Sequence, residues 1–486
     1  MFASRLTRVH IQTLLILASL GLAAYAADTA QPPDLSQPAP GRLDWFQDLK
    51  FGLFMHWGIY SELGCIESWP LVWADRSWSN PKLKTLDEML AFRQQYFSLN
   101  KQFNPTQFAP ETWAALAKRT GMKYVMFTTK HHDGFSLFDT RRTEFRSTAP
   151  DCPFSKNAHA NVAAEVFQAF RKEGLGIGCY FSKSDWHSPY YWSTDTVPLD
   201  RNPNYDTVKN PARWNKFVDF VHGQVEELMT GYGHIDILWL DGGQVRPPQQ
   251  EIHMDRLVAM ARHHQPHLIV VDRTVGKFED YRTPEQEVPE RPLPYVWETC
   301  MTMGDQWSYK PDDNYKSTRK LIHLLVGIVA KGGNFLLNVG PRPDGTLPLE
   351  AVTRLEEIGR WMDVNAEAIH GTRPVAPYQA GQLCLTRKGT TLYAIYLAGE
   401  QEQAPPPQVR LPFLRAKADS QIQLLGCSQA CRFQATDAGL TIEGAGNDPG
   451  GWWLSLSEAP VPGFWGITAL CPSHPDLLLL AFCATL

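Results

Sequence analysis

Seven short apolar runs without polar alternation punctuate the first three-quarters of the chain. They are Phe51–His56, Tyr124–Thr129, Gly176–Phe181, Ile235–Asp241, Leu268–Asp272, Val296–Glu298 and Asn334–Val339. A strand covered on both faces reads this way, because neither row of side chains meets water. Between the runs lie stretches with helical spacing, such as Asn161–Glu173, Trp214–Met229 and Gln250–His264. Repeated strand-then-helix units over 43–374 predict an α/β domain with a parallel sheet. A closed (β/α)8-like TIM barrel is the preferred form, with an open doubly wound sheet as the alternative. No GxGxxG follows an early strand, which weakens the dinucleotide-binding version of the open sheet.

The pattern changes after Pro374. Residues 375–465 carry short β-rich pieces, CLTRKG, TLYAIYLAG, QVRLPF, IQLLG, GLTIEG and WWLSLS, with turn residues between them. They predict a small β-sandwich, either a stabilising appendage or a glycan-binding accessory. Residues 466–486 read as a C-terminal tail, whose Leu477–Ala481 run is too short to span a membrane. At the other end, Arg5, Arg8 and His10 precede an apolar run, Leu14–Ala26, that closes on Ala24-Tyr25-Ala26. This has the form of a signal peptide over 1–26. Export to the periplasm, the medium or, in a eukaryote, the lysosome is the expectation. Residues 27–42 form a Pro-rich linker.

Composition narrows the function classes. A net charge of -5 offers no polycation for nucleic acid, and no segment predicts stable membrane insertion. The chain has 16 Trp, 16 Tyr and 24 Phe. These rings suit sugar C–H faces, although large barrels also bury many aromatics. The nine cysteines are scattered and odd in number, so no disulfide framework is drawn.

In a barrel, functional side chains gather at the C-terminal ends of the strands. Polar residues close the predicted strands here: His56, then His131, His132 and Asp133, then Asp185 and Trp186, then Asp241, Arg273 and Glu298. Asp241 ends the apolar run ILWL and is followed by two glycines, which let a substrate approach its carboxylate closely. It is the candidate nucleophile; helix capping is the plain alternative. Hydrolysis of a glycosidic bond needs a second carboxyl group as proton donor. The acidic segment Lys277–Pro292, read as a long active-site loop, offers Glu279, Asp280, Glu285, Glu287 and Glu290, with Glu298 as a rival beyond it. Spacing does not choose among them. His131 and His132 are adjacent, so a strand would point them to opposite faces. With no CxxC or HExxH present, no metal or other cofactor is expected.

At these residues the chain resembles the retaining α-L-fucosidases, glycoside hydrolase family 29. The matching strings are WFQDLKFGLFMHWGIYS (45–61), FNPTQFAPETWAALAKRTGMKYVMFTTKHHDGFSLFDT (103–140), YFSKSDWH (180–187), HIDILWLDGG (234–243), WETCMTMGDQWSY (297–309) and LIHLLVGIVAKGGNFLLNVGPRPDGTLP (321–348). The resemblance implies a (β/α) barrel, a C-terminal β-sandwich, and an exo-acting fucosidase without a metal. Carried across by position, Asp241 matches the nucleophile and His56, His131 and His132 match fucose-binding histidines. Trp297 matches an aromatic near the sugar. Glu67 and Trp69, in the loop after the first strand, lie where the family often places substrate contacts. Tyr180, Trp186 and Arg273 complete the candidate sugar-binding set. Thr283–Gln286 (TPEQ) resembles the branch that prefers α-1,3 and α-1,4 linkages, in which this Glu is the acid/base. That favours Glu285 over Glu298. The implied partners are fucosylated oligosaccharides or glycoproteins, with oligomeric state open. The competing classes are an inactive fucose-binding protein on the same scaffold and a metal-dependent barrel hydrolase.

Overall fold

The computed structural model describes residues 34–73, 83–273, 276–399, 402, 406–412, 414, 422–426, 431–437, 439–443 and 479–485. The expected signal peptide, the start of the linker, the WWLSLS piece and the first part of the tail lie outside them.

Seven parallel strands among the described residues form one sheet: β1 (Phe51–Met55), β2 (Tyr124–Lys130), β3 (Gly176–Ser182), β4 (Ile237–Asp241), β5 (Ile269–Val271), β6 (Glu298–Thr302) and β7 (Asn334–Val339). Their order is β5-β4-β3-β2-β1-β7-β6. β1 pairs with β2 on one side and β7 on the other, which leaves β5 and β6 as the two end strands. The helices are α1 (Arg42–Leu49), α2 (Leu86–Phe97), α3 (Pro110–Arg119), α4 (Val162–Lys172), α5 (Pro211–Gly231), α6 (Met254–His264), α7 (Thr318–Ala330) and α8 (Leu349–Asn365). None is long and apolar enough to cross a membrane among the described residues.

The absence of alternation in the strands now has its reason. Leu53, Val125, Ile177 and Leu238 pack outward into the core shared with the helices. Their neighbours Phe54, Met126, Tyr180 and Trp239 point into a second core inside the barrel. On α4, Val162, Val166 and Phe170 are fully buried at a four-residue spacing, each contributing about 1.5–3 kcal/mol relative to exposure. Gly52 faces the barrel interior because a Cβ there would lie 2.4 Å from the Tyr124 ring.

The gap between β5 and β6 is filled by residues 280–286. Asp280 N donates to Val270 O at 2.9 Å, and Glu298 N donates to Arg282 O at 2.9 Å. Isolated parallel bridges join Arg282 to Trp297 and Glu285 to Cys300. This irregular eighth position makes the fold (β/α)8-like. The segment read as a long loop is in part barrel wall, and Glu285 stands at its upper end.

Two sequence readings are corrected here. Glu298 is the first residue of β6, not its end, and pairs with Asn334, the first residue of β7. It is therefore at the opposite end of the strands from Asp241. It is fully buried inside the barrel, accepting a hydrogen bond from Tyr124 Oη at 2.5 Å. Phe46 of α1 plugs this end, packing on Tyr124 and Tyr281. Trp297 points outward and packs against Gly333, which has no side chain in its way.

Beyond α8 the chain turns antiparallel. The strands are β8 (Arg373–Ala380), β9 (Leu383–Lys388), β10 (Thr391–Leu397), β11 (Gln408–Leu411), β12 (Ile422–Leu424), β13 (Phe433–Thr436), β14 (Gly439–Glu443) and β15 (Leu479–Thr485). They make a five-stranded sheet, β12-β15-β10-β9-β8, and a three-stranded one, β11-β14-β13. The end of the chain is not a separate tail: β15 pairs with β10 on one side and β12 on the other. Its apolar run is that of a strand flanked on both sides. Cys384, Tyr393 and Ile395 join the core of the barrel domain, so this module packs on the barrel.

Candidate active site

The C-terminal ends of the strands surround a cavity of about 470 Å3. Phe54 and Trp239, both inward-facing, contribute to its lining. Asp241, Glu285, His56, His131, His132, Glu67, Trp69 and Arg273, all candidates from the sequence or the resemblance, line it.

Asp241 is the last residue of β4. Trp239, two residues earlier, shares its face, since strand side chains alternate. Tyr180 Oη donates to Asp241 Oδ2 at 2.7 Å, and the Gly242 N–H donates to Oδ1 at 2.7 Å. Gly242 has φ +85°, a conformation other residues rarely adopt. Arg273 Nε lies 3.6 Å from Asp241 Oδ1 and His132 Nε2 lies 3.8 Å from Oδ2. Burial pushes the Asp241 pKa up, but Arg273, His132, Tyr180 and the Gly242 amide outweigh it and hold the pKa at about 2. The carboxylate is ionised at any ordinary pH.

Glu285 sits at the rim, its side chain 40% exposed, and accepts a hydrogen bond from Arg273 Nη2. One guanidinium thus touches both carboxylates. Arg273 occupies a left-handed backbone conformation, φ +51°, a strain that persists only where surrounding contacts over-determine it. Gln286, with φ +56°, anchors the neighbouring Glu285: its N–H donates to Cys300 O at 2.9 Å and its Nε2 to Thr302 Oγ1 at 3.1 Å.

The three histidines are each fixed through Nδ1. His56 Nδ1 is 2.7 Å from Asn338 Oδ1, while Asn338 Nδ2 donates to Trp307 O at 2.6 Å. That orientation makes Asn338 Oδ1 the acceptor, so His56 carries its proton on Nδ1 and offers a lone pair at Nε2. His131 Nδ1 is 2.6 Å from Ser68 Oγ, and His132 Nδ1 is 2.7 Å from Ser182 Oγ. Burial lowers the pKa of His56 and His132 to about 4. For His131, burial first and then its two histidine neighbours push it well down. All three are neutral imidazoles at pH 7, suited to hydroxyl groups.

The expectation that His131 and His132 diverge is not met. Both follow Lys130, the end of β2, so strand alternation no longer applies, and their rings are 4.2 Å apart. Ligand atoms of His131, His132 and Asp241 lie within 4.8 Å of one another. The place of a cation beside Asp241 is nevertheless taken by Arg273, whose charge would oppose a metal ion there.

Glu67 is buried, and Oε2 has no hydrogen-bond partner among the described residues. Burial first, then the nearby Glu285, Asp241 and Asp133 carboxylates, raise its pKa to about 8. It carries a proton at neutral pH and can donate to a ligand oxygen. Next to it, Ser68 Oγ holds His131 and accepts from the Asp133 N–H at 2.9 Å, tying this loop to the end of β2. Trp69 packs edge-on against His132 and Trp186, with the Arg201 guanidinium 4.4 Å above its ring.

Tyr180 and Trp186 support the cavity without lining it. Tyr180 holds Asp241 and stacks on Trp239; Trp186 backs Trp69 and His132 and stacks on Trp192. Glu298 and Trp297 are not part of the cavity. Sequence reading missed Trp239, Trp307, Arg201, Gln244 and Arg246, which do line it. Trp239 was detectable from its two-residue spacing to Asp241. The others come from loops, where no periodicity assigns a direction.

A family model described as Alpha-L-fucosidase matches residues 23–367. The alpha-L-fucosidase of Dictyostelium discoideum is 28% identical over 356 residues, covering 70% of this chain and 73% of that protein. The tissue alpha-L-fucosidase of Homo sapiens is 28% identical over 410 residues, covering 79% and 83%. Among solved structures, alpha-L-fucosidase isoenzyme 1 from Paenibacillus thiaminolyticus superposes with a TM-score of 0.70 at 29% identity, covering 91% of this chain and 98% of that one. The Thermotoga maritima alpha-fucosidase in complex with fucose gives 0.67 at 25% identity, covering 92% and 96%.

Proposed function

The chain belongs to the alpha-L-fucosidase family, a family of glycoside hydrolases, and from that premise we propose that it removes terminal L-fucose from fucosylated oligosaccharides or glycoproteins with retention of configuration. The observation that carries the proposal is one cavity holding an ionised Asp241 and a rim carboxyl, Glu285, on the same Arg273 guanidinium.

In the first step an Asp241 oxygen attacks the anomeric carbon and the glycosidic C–O bond breaks. The leaving oxygen takes the proton carried by Glu285. In the second step water attacks the fucosyl ester, Glu285 takes a proton from that water, and Asp241 is released as carboxylate. Negative charge moves from Asp241 to Glu285 and back. Because Arg273 contacts both, its positive charge faces the negative one throughout. The proton on Glu67, the Nε2 lone pair of His56 and the other neutral imidazoles supply hydrogen bonds for sugar hydroxyls. The apolar faces of Phe54 and Trp239 suit the fucose methyl group.

The TPEQ string around Glu285 supports a preference for α-1,3 and α-1,4 linkages. The basic residues ahead of Leu14–Ala26 support export; cleavage after Ala26 during secretion, read by N-terminal sequencing of the mature protein, tests that part. Two measurements test the rest. Proton NMR of the first-formed product should show α-L-fucose before mutarotation, and β-L-fucose would contradict retention. Fucose release from a Lewis-type trisaccharide but not from 2′-fucosyllactose should mark the linkage preference; equal release from both would overturn it.

A further inference from the structure

Two serines hold the cavity histidines from behind. Ser68 and Ser182 are fully buried, and neither lines the cavity. Ser68 Oγ stands 2.6 Å from His131 Nδ1, and Ser182 Oγ stands 2.7 Å from His132 Nδ1. A serine hydroxyl has one hydrogen to donate and two lone pairs. Burial keeps both rings neutral at pH 7, so each has a single N–H. Where the serine hydrogen goes therefore decides which ring nitrogen carries the proton.

We propose that Ser68 and Ser182 are positioning residues that lock His131 and His132 in opposite tautomers, so that one presents a donor and the other an acceptor to the same sugar hydroxyl. The part played by the hydroxyl rests on the fucosidase reading above; the tautomers do not.

Ser182 is constrained by a carbonyl group. Its Oγ lies 2.8 Å from Ser184 O, which only accepts, so the Ser182 hydrogen points there. His132 Nδ1 is then the donor to Ser182 Oγ, and its Nε2 keeps a lone pair. The Ser184 hydroxyl, 3.1 Å from both Ser182 Oγ and His132 Nδ1, can donate to the second Ser182 lone pair. Ser68 has the opposite surroundings. Its Oγ accepts from the Asp133 N–H at 2.9 Å, and among the described residues its hydrogen has no acceptor other than His131 Nδ1. Were Nδ1 to donate instead, a buried hydroxyl hydrogen would go unsatisfied, a larger loss than one ordinary hydrogen bond is worth. Ser68 therefore donates to Nδ1, and the proton of His131 sits on Nε2.

The consequence lies at Asp241. His132 Nε2 is 3.8 Å from Asp241 Oδ2, which already accepts from Tyr180 Oη. Two acceptors face each other there, and a donor between them relieves the repulsion. Ring nitrogens of His131 and His132 and an Asp241 oxygen lie within 4.8 Å of one another. A hydroxyl seated among them accepts from His131 Nε2–H and donates to His132 Nε2. Fluorine or an ether oxygen only accepts, and leaves the His132 side unmatched. His56, whose Nε2 lone pair is fixed through Asn338, is a second acceptor. The three imidazoles are therefore not interchangeable.

Proton–nitrogen correlation spectra of the ligand-free enzyme, labelled in its histidine nitrogens, test the tautomers directly, because protonated and bare ring nitrogens resonate far apart. His131→Gln and His132→Gln assign the signals. At pH 7 the bare nitrogen should be Nε2 in His132 and Nδ1 in His131. The same tautomer on both rings, or the reverse pattern, would overturn the lock. In Ser68→Ala the His131 signals should move toward the Nδ1–H form. Those of His132, held by Ser182, should stay in place and show that the site is folded. In this variant kcat/KM for α-L-fucosyl fluoride should fall about 3- to 10-fold, mainly through KM, as the loss of one neutral hydrogen bond predicts. An unmoved His131 spectrum would remove Ser68 from the role. The wild-type spectrum decides the pattern even if Ser68→Ala does not fold. A wild-type enzyme that shows both tautomers yet releases no fluoride from fucosyl fluoride would instead sink the fucosidase reading and leave the lock standing.

Discussion

Tyr180 Oη donates a 2.7 Å hydrogen bond to Asp241 Oδ2 from the neighbouring strand. The phenol is held in turn by its stack on Trp239. Hydrogen bonds to a charged group contribute about 1.5–3 kcal/mol, which at 1.4 kcal/mol per decade corresponds to about 10- to 150-fold in rate. Tyr180→Phe keeps the ring and removes the bond. It should lower kcat by about that factor with little change in melting temperature, measured by steady-state kinetics beside a thermal melt. An unchanged kcat would mean that the bond does not position the carboxylate.

Arg273 contacts both carboxylates through different nitrogens. Lys is a point charge without that fork. Arg273→Lys should therefore cost more than a single hydrogen bond, about 100-fold or more in kcat/KM, although the charge is retained. A loss under 5-fold would reduce Arg273 to a general electrostatic role.

Glu67 keeps its proton up to about pH 8 because burial raises its pKa. If that proton binds substrate, kcat/KM should fall as pH rises through about 8 and the acid ionises. Glu67→Gln retains a donor that does not titrate. Its pH profile should lose this alkaline limb while activity at pH 6 stays measurable. A limb that persists in the variant assigns it to another group.

Glu298 should matter for folding rather than turnover. Burial raises its pKa to about 7 from an ordinary 4.5, with hydrogen bonds from Tyr124 and Tyr281 opposing the shift. A raised carboxyl pKa gives stability that is fully present below pH 4.5 and lost as pH rises through 7. Over that window the loss amounts to about 3 kcal/mol. Glu298→Gln should flatten this part of the stability curve in denaturant titrations between pH 5 and 8, and leave kcat within about 3-fold. A loss of activity restored by azide in a Glu298→Ala variant would return Glu298 to the proton-donor role.

The barrel and most of its active-site cluster were legible because each strand buries both faces, so its apolar run is unbroken and ends on a polar residue. That rule placed Asp241, His56 and Arg273. It failed at β6, where the apolar residues, Cys300 and Met301, come after Glu298 and stand between threonines. Reading the strand as 296–298 shifted Glu298 to the wrong end of the barrel, while Trp297, placed near the sugar by resemblance alone, packs outward against Gly333. The wall at 280–286 was hidden for a related reason. It makes bridges rather than a ladder, and its Pro284 and acidic residues carry a loop composition. β15 was read as a tail because its partners, β10 and β12, are distant in sequence. The pairing of His131 with His132 depended on where β2 stops, a one-residue matter that alternation does not fix.

The measurement closest to the central claim is covalent trapping. Inactivation with 2-deoxy-2-fluoro-α-L-fucosyl fluoride, followed by peptic digestion and tandem mass spectrometry, should find one 2-fluorofucosyl group on Asp241. The Glu285→Ala variant should retain the labelled ester longer and be rescued by azide as the α-linked fucosyl azide, because azide displaces Asp241 from the β-linked ester with a second inversion. A label on any other residue, or complete inactivation with Asp241 unmodified, would contradict the account.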